Sequence, residues 1–222
     1  MTCEFNDLKQ LLNDKGLADA VEYVEAVRWK LIQAKLYSEL AKEKDFGGIL
    51  AQSQGAEINL SDPAVRHSLL QCEAHTVCLS QILHSVGDLA GQVVNESLLL
   101  MKGRQVQKDV FYLGDVINEL DALSSSDCSE ISGQLKALRD SAQFQYIAAF
   151  ANTIKHRSLV NSKILLQYSV ENGAQEGLSF IEFVYKKRTY GQAFAKVIYD
   201  DYLKAIELAI CNWVEKLIEV LK

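Results

Sequence analysis

Proline is almost absent: Pro63 is the only one among 222 residues. Proline is the residue that most often breaks a helix interior, so its scarcity removes the commonest interruption and points to long helices. Long apolar runs are also missing. No stretch reaches the roughly 18 consecutive apolar residues needed to cross a bilayer, and the opening segment from Met1 to Asp7 has neither the basic nor the apolar region of a leader. Neither a membrane span nor export is expected. A cationic excess is lacking as well: 23 Lys and Arg stand against 29 Asp and Glu, for a net charge of −6. That balance argues against a protein that coats nucleic-acid phosphates without selectivity and confines any such contact to a local patch. The five cysteines (Cys3, Cys72, Cys78, Cys128, Cys211) are an odd, scattered set rather than an even, closely spaced one, which predicts reduced thiols and a cytoplasmic location. Glycine-rich phosphate loops, a Gly-x-Ser-x-Gly elbow and the Glu-x-x-His pair of di-iron bundles are all absent, and no cofactor is expected.

What is present is apolar material, 49% of the residues, enough for one core and a single domain over 1–222. From Leu17 to about Lys44, Val21, Val24, Val27, Leu31, Ala34 and Leu40 recur at helical spacing. Residues 45–61 collect glycine, serine and polar residues and read as a loop. Ser61-Asp62-Pro63 then offers a cap followed by proline at the first helical position, opening a second long helix that runs to about Lys102. A short helix over Leu113 to Leu120 is followed by a turn through Ser124 to Asp127, and one continuous helix is predicted from Ser129 to about Lys155. Next the period changes to that of strands over Val160 to Val170 and Leu178 to Tyr185, with Glu171-Asn172-Gly173 between them; this is a β-hairpin pattern. Phe194 to Leu221 returns to helical spacing. The expected fold is therefore mainly α, an antiparallel bundle of long helices with one β-hairpin, over about 159–190, inserted before the C-terminal helix.

The densest group of chemically capable residues is Asn152, Lys155, His156 and Arg157, at the C-terminal end of the helix before the hairpin. Asn152 and His156 are four apart and share a helix face. A histidine can move a proton near neutral pH, and adjacent cations can hold a phosphate or offset charge developing on it. The same cations also suit the last turn of a helix, whose free carbonyls and negative dipole end they complement. Downstream, Lys186, Lys187 and Arg188 lie between Tyr185 and Tyr190. Such a basic, aromatic patch suits phosphates and bases, or else a solvated turn. His67, Cys72, His75, Cys78 and His84 are all zinc-ligating types, but their spacing drifts around one helix without a partner pair elsewhere; core packing is the reading, and no metal site is expected.

The segment from Phe150 to Leu159, Phe-Ala-Asn-Thr-Ile-Lys-His-Arg-Ser-Leu, set between a long helix and a hairpin, resembles the bacterial HEPN-like (higher eukaryotes and prokaryotes nucleotide-binding) proteins. Asp88 to Asn95 adds to the likeness. The resemblance implies a helical bundle, often a homodimer, that brings one polar motif from each subunit to a shared cleft. Many members are metal-independent ribonucleases of toxin or phage-defence systems, some of them paired with an antitoxin. Active ones carry an arginine upstream of the histidine, where this chain has Phe150 and Ala151, and Arg139 lies too far along the helix to substitute. Three readings follow. One is a module binding RNA, a nucleotide or a protein partner around Asn152, Lys155, His156 and Arg157; another is a ribonuclease with His156 as acid or base; the third is a dimerising scaffold without ligand.

Overall fold

The computed structural model describes residues 3–52, 59–107, 112–156, 160–169 and 173–222. The protein is mainly α, as the sequence predicts. Its elements are α1 (Phe5–Asp14), α2 (Ala18–Lys44), α3 (Phe46–Gln52), α4 (Pro63–Val94), α5 (Leu113–Ala122), α6 (Ser126–Asp140), α7 (Ala142–His156), strands β1 (Ser162–Ser169), β2 (Gly173–Phe180), β3 (Phe183–Tyr185), β4 (Arg188–Tyr190) and β5 (Ala193–Phe194), and α8 (Leu203–Leu221). Among the described residues two π-helical turns interrupt the ladder: π1 (Asn95–Leu99) extends α4, and π2 (Val197–Tyr202) leads into α8. Among the described residues no helix is long and apolar enough to cross a membrane.

The long helices are made by stripes spaced alternately at three and four. On α2 the buried positions are Ala20, Val24, Val27, Leu31, Ala34, Ser38 and Ala41, and on α4 they include Leu69, Cys72, Thr76, Leu79, Leu83, Val86, Ala90 and Val93. This is the period of a coiled-coil-like seam. The polar members of the α4 stripe are satisfied within their own helix: Thr76 Oγ1 donates to the Cys72 carbonyl at 2.8 Å and Ser80 Oγ to that of Thr76 at 2.9 Å. Asp62 caps α4 as expected, its carboxylate accepting the Ala64 N–H at 2.8 Å.

The chain divides into two compact units. The first comprises 1–32, 83–145 and 205–222, and the second 33–82 and 146–204. In the first, Cys3 of the segment before α1 is disulfide-bonded to Cys211 of α8, contrary to the expectation that all five thiols are reduced; Cys72, Cys78 and Cys128 are free. Here π1 buries Asn95, Glu96 and Ser97. The Asn95 amide reads both backbone groups of Val106, accepting from its N–H at 2.7 Å and donating to its carbonyl at 3.2 Å, while Gln105 Nε2 donates to Glu96 at 3.0 Å. Buried polar side chains are thus satisfied by the connection that follows.

Four expectations are corrected. The predicted loop at 45–61 begins with a helix, α3, although 53–58 lie outside the described residues. The single helix predicted over Ser129 to Lys155 is two, because Ser141 ends α6 and its hydroxyl accepts the Phe144 N–H at 3.2 Å to start α7. The expected hairpin is present as the antiparallel pair β1 and β2, but it is extended: β5 joins β2 to make a three-stranded sheet in the order β1-β2-β5, and β3 pairs with β4 in a second one. Ile181 and Glu182 separate them. Lastly, the C-terminal helix does not start at Phe194, which pairs with Ser179 across the sheet.

Gly87 on α4 faces Phe144 so closely that a Cβ there would stand 2.4 Å from the ring's Cζ. Gly87→Ala is expected to lower stability by about 1–3 kcal/mol through overpacking, measured as the shift in urea midpoint at unchanged m-value; a neutral or stabilising result would contradict this contact.

Candidate functional site

The predicted residues of α7 lie at its C-terminal end in the second unit. Lys155 and His156 are exposed. Asn152 is half-buried, and its Nδ2 donates to the Ala148 carbonyl at 2.8 Å; the buried Thr153 Oγ1 makes the same bond to Ala149. The asparagine amide is therefore engaged with its own helix. Arg157 lies outside the described residues. Neither of the two cavities described below is lined by Asn152, Lys155 or His156.

The second predicted patch has a definite geometry. Strands β3 and β4 pair Tyr185 with Arg188, which leaves Lys186 and Lys187 as a two-residue turn. Both lysines have positive φ, 47° and 66°. Turns of this kind match the twist of a hairpin but favour asparagine and glycine, and a side chain held in the left-handed region costs roughly 1–2 kcal/mol per residue. Two lysines are thus held at the tip against local preference. The base is rigid: the Phe183 and Tyr190 rings stack at 5.3 Å, Tyr146 of α7 meets them edge-on at 5.5 and 6.2 Å, and Phe150 packs against Phe183 at 5.9 Å. The Arg188 guanidinium lies over the Tyr190 ring at 5.1 Å and the Lys186 ammonium over Tyr185 at 5.4 Å. Lys186, Lys187 and Arg188 are all exposed.

Charge is segregated around these groups. Although the whole chain is acidic, no Asp or Glu occurs between Asp140 and Glu171, nor between Glu182 and Asp200. The two stretches include Lys155, His156, Lys163, Lys186, Lys187, Arg188 and Lys196.

A site that the sequence did not signal lies elsewhere in the same unit, around Asp45. This carboxylate is 5% exposed. It accepts the Phe46 N–H at 2.7 Å, capping α3, and the Tyr199 hydroxyl at 2.6 Å, and it lies 3.5 Å from the Leu178 nitrogen. Gly177, at φ +136°, passes beside it, and a Cβ there would come within 3.2 Å of the carboxylate oxygen. The wide turn of π2 carries Tyr199 inward, and Ser38 Oγ donates to the Tyr199 carbonyl at 2.9 Å, supplying a partner where the helical ladder is disturbed. Lys42 pairs with Asp200 at 3.0 Å, and a cavity of about 620 Å³ opens among Lys42, Asp45, Glu176, Phe194, Tyr199 and Asp200. Burial and the Asp45 hydrogen bond push the Tyr199 phenol above its ordinary value. Burial, with the Asp45 charge adding, pushes the Cys72 thiol up to about 12. Tyr199 is thus a committed neutral donor rather than a free acid or base. Asp45 read in the sequence as the start of a loop; the signal available was an N-cap residue directly after the α2 stripe.

Among the described residues no group of three or more His, Cys, Asp or Glu is placed to hold a metal ion. The His and Cys residues of α4 are dispersed: Cys72 is buried, His75 packs against Tyr37 at 5.8 Å and His84 against Phe144 at 6.4 Å. No family model, curated protein or solved structure matches the chain.

Because both groups have folded-state values raised above the unfolded ones, their stabilising contribution is complete below the unfolded pKa and is lost as pH rises toward the folded one. Stability is expected to fall from about pH 9 upward as Cys72 comes into play, and further above about pH 10 with Tyr199. Denaturant titrations from pH 8 to 11 test this. Cys72→Ala should flatten the first part of the decline, and an unchanged profile would contradict the assignment.

Proposed function

We propose that this chain is an RNA-binding module whose phosphate contacts are made by the tip of the β3-β4 hairpin, with Lys155 and His156 at the end of α7 as a second point of contact. The observation that carries the reading is the Lys186-Lys187 turn, two cations kept in a backbone conformation that disfavours them. Backbone strain of this kind concentrates where a side chain is needed in a fixed place. The aromatic base and the lack of any Asp or Glu from Phe183 to Tyr199 support the same assignment. The resemblance of 150–159 to the HEPN-like motif favours RNA among polyanions. Binding without cleavage fits best, because Asn152 is bonded to its own helix and Phe150 and Ala151 occupy the positions where an arginine is expected. The alternative is metal-independent cleavage with His156 as acid or base, with a homodimer assembling the site.

The test is fluorescence anisotropy with a labelled single-stranded 12-nucleotide RNA over a series of salt concentrations in EDTA, with the RNA then run on a gel. Wild type is expected to bind and leave the RNA intact. Lys186→Glu/Lys187→Glu should weaken binding at least about tenfold and reduce the log–log salt slope by about 0.7 for each lost phosphate contact. Equal binding by wild type and the double variant would refute the hairpin contact. Cleavage that disappears in His156→Ala would replace the binding reading with the ribonuclease one.

A further inference from the structure

The three-stranded sheet leaves one long edge open beside a groove. In an antiparallel pair, residues alternate between those that bond to the neighbouring strand and those whose N–H and C=O point away from it. The Ile181 N–H donates to the Asn161 carbonyl at 2.9 Å, and the register pairs Ser162 with Phe180, Lys163 with Ser179, and Ile164 with Leu178. Counting by twos from Asn161, Lys163 and Leu165 bond to β2, whereas the backbone groups of Ser162, Ile164 and Leu166 face outward. The Leu178 N–H agrees with this, since it points to Asp45 rather than to β1. Among the described residues no further strand lies beyond β1 in the sheet.

Beside this edge, Arg66, Leu69, Leu70 and Glu73 of α4 and Ser162 to Ile164 of β1, with Leu178 of β2, enclose a groove of about 320 Å³. Its rim is apolar and exposed: Leu70 is 63% accessible and Ile164 38%. Its charge is positive. The Glu73 carboxylate is taken by the Ser162 hydroxyl at 2.9 Å. Arg66 donates its Nε to the Leu60 carbonyl, and neither Arg66 nor Lys163 forms an ion pair among the described residues.

We infer that this edge is a β-strand addition site for an extended segment of a partner protein with alternating apolar and acidic residues. Main-chain bonds to Ile164 and its outward-facing neighbours would supply a sequence-independent part of the affinity. Apolar side chains would enter the groove at Leu70 and Ile164, and the carboxylates, on the other face of the added strand, would meet Lys163. The site is separate from the hairpin tip and does not rest on the RNA reading.

The test uses a fluorescein-labelled octapeptide of alternating valine and glutamate, a valine–lysine counterpart, and a form of the first that is N-methylated on alternate backbone nitrogens. Anisotropy with the full chain is expected to show binding of the valine–glutamate peptide, and binding at least about tenfold weaker for the other two. Ile164→Pro removes an N–H that β2 does not use, and Leu70→Asp places a charge at an exposed position where folding is undisturbed. Each should weaken the interaction at least about tenfold. Absence of binding, or equal binding of the methylated peptide, overturns the proposal. So does a wild-type dimer in light scattering that Ile164→Pro converts to monomer, since a second copy would then be the occupant.

Discussion

The second unit depends on one buried anion. Asp45 sits at the junction of α2 and α3, and its carboxylate gathers donors from parts of the chain 133 and 154 residues away. A carboxylate removed from water is costly unless charge-assisted hydrogen bonds replace its hydration. Hydrogen bonds to charged groups contribute about 1.5–3 kcal/mol each where their geometry is good. The Phe46 N–H and the Tyr199 hydroxyl meet that requirement, and the more distant Leu178 N–H adds to it. The surrounding sequence is shaped accordingly: Gly177 has no Cβ to strike the carboxylate, and π2 turns Tyr199 inward.

These constraints bear on the basic surface through the sheet. Strand β2 is held on one side by β1 and on the other by β5, and Leu178 reaches Asp45 from it. Two residues beyond the end of β2 the chain enters β3, whose Phe183 joins Tyr146, Phe150 and Tyr190 in one aromatic cluster. The hairpin tip is thus mounted on a rigid base, which lowers the entropy lost when an anion orders its lysines. At the tip itself Lys186, Lys187 and Arg188 are consecutive and exposed, so an acidic chain presents a locally basic turn.

The helices were legible because their buried positions alternate at three and four, a pattern that neither turn nor strand produces. Periodicity could not show where one helix becomes two: Phe144, Ile147 and Ala151 continue a stripe across Ser141, although a serine after Asp140 is a recognisable cap. It also overlooked α1, whose Phe5, Leu8 and Leu12 carry the same spacing in a shorter run. The loop at 45–61 misled because two glycines outweighed the capping aspartate before them. Strand composition located the β region but not the break at Ile181 and Glu182, which is set by pairing across the sheet. At the site, residue types picked out a set of cations, but how each is held depends on backbone geometry. Positive φ at two lysines, the back-bonded Asn152 amide and the Tyr199 hydroxyl on Asp45 are tertiary outcomes that no local pattern encodes.

The measurement that bears most directly on this account is native-state hydrogen exchange, residue by residue, in wild type and Asp45→Ala. If the carboxylate organises the second unit, protection should fall together at 46–49, at 178–180 and at 197–202, while α6 in the first unit keeps its protection. Loss confined to α3, or no loss at all, would show that Asp45 is only a local helix cap and would contradict the account.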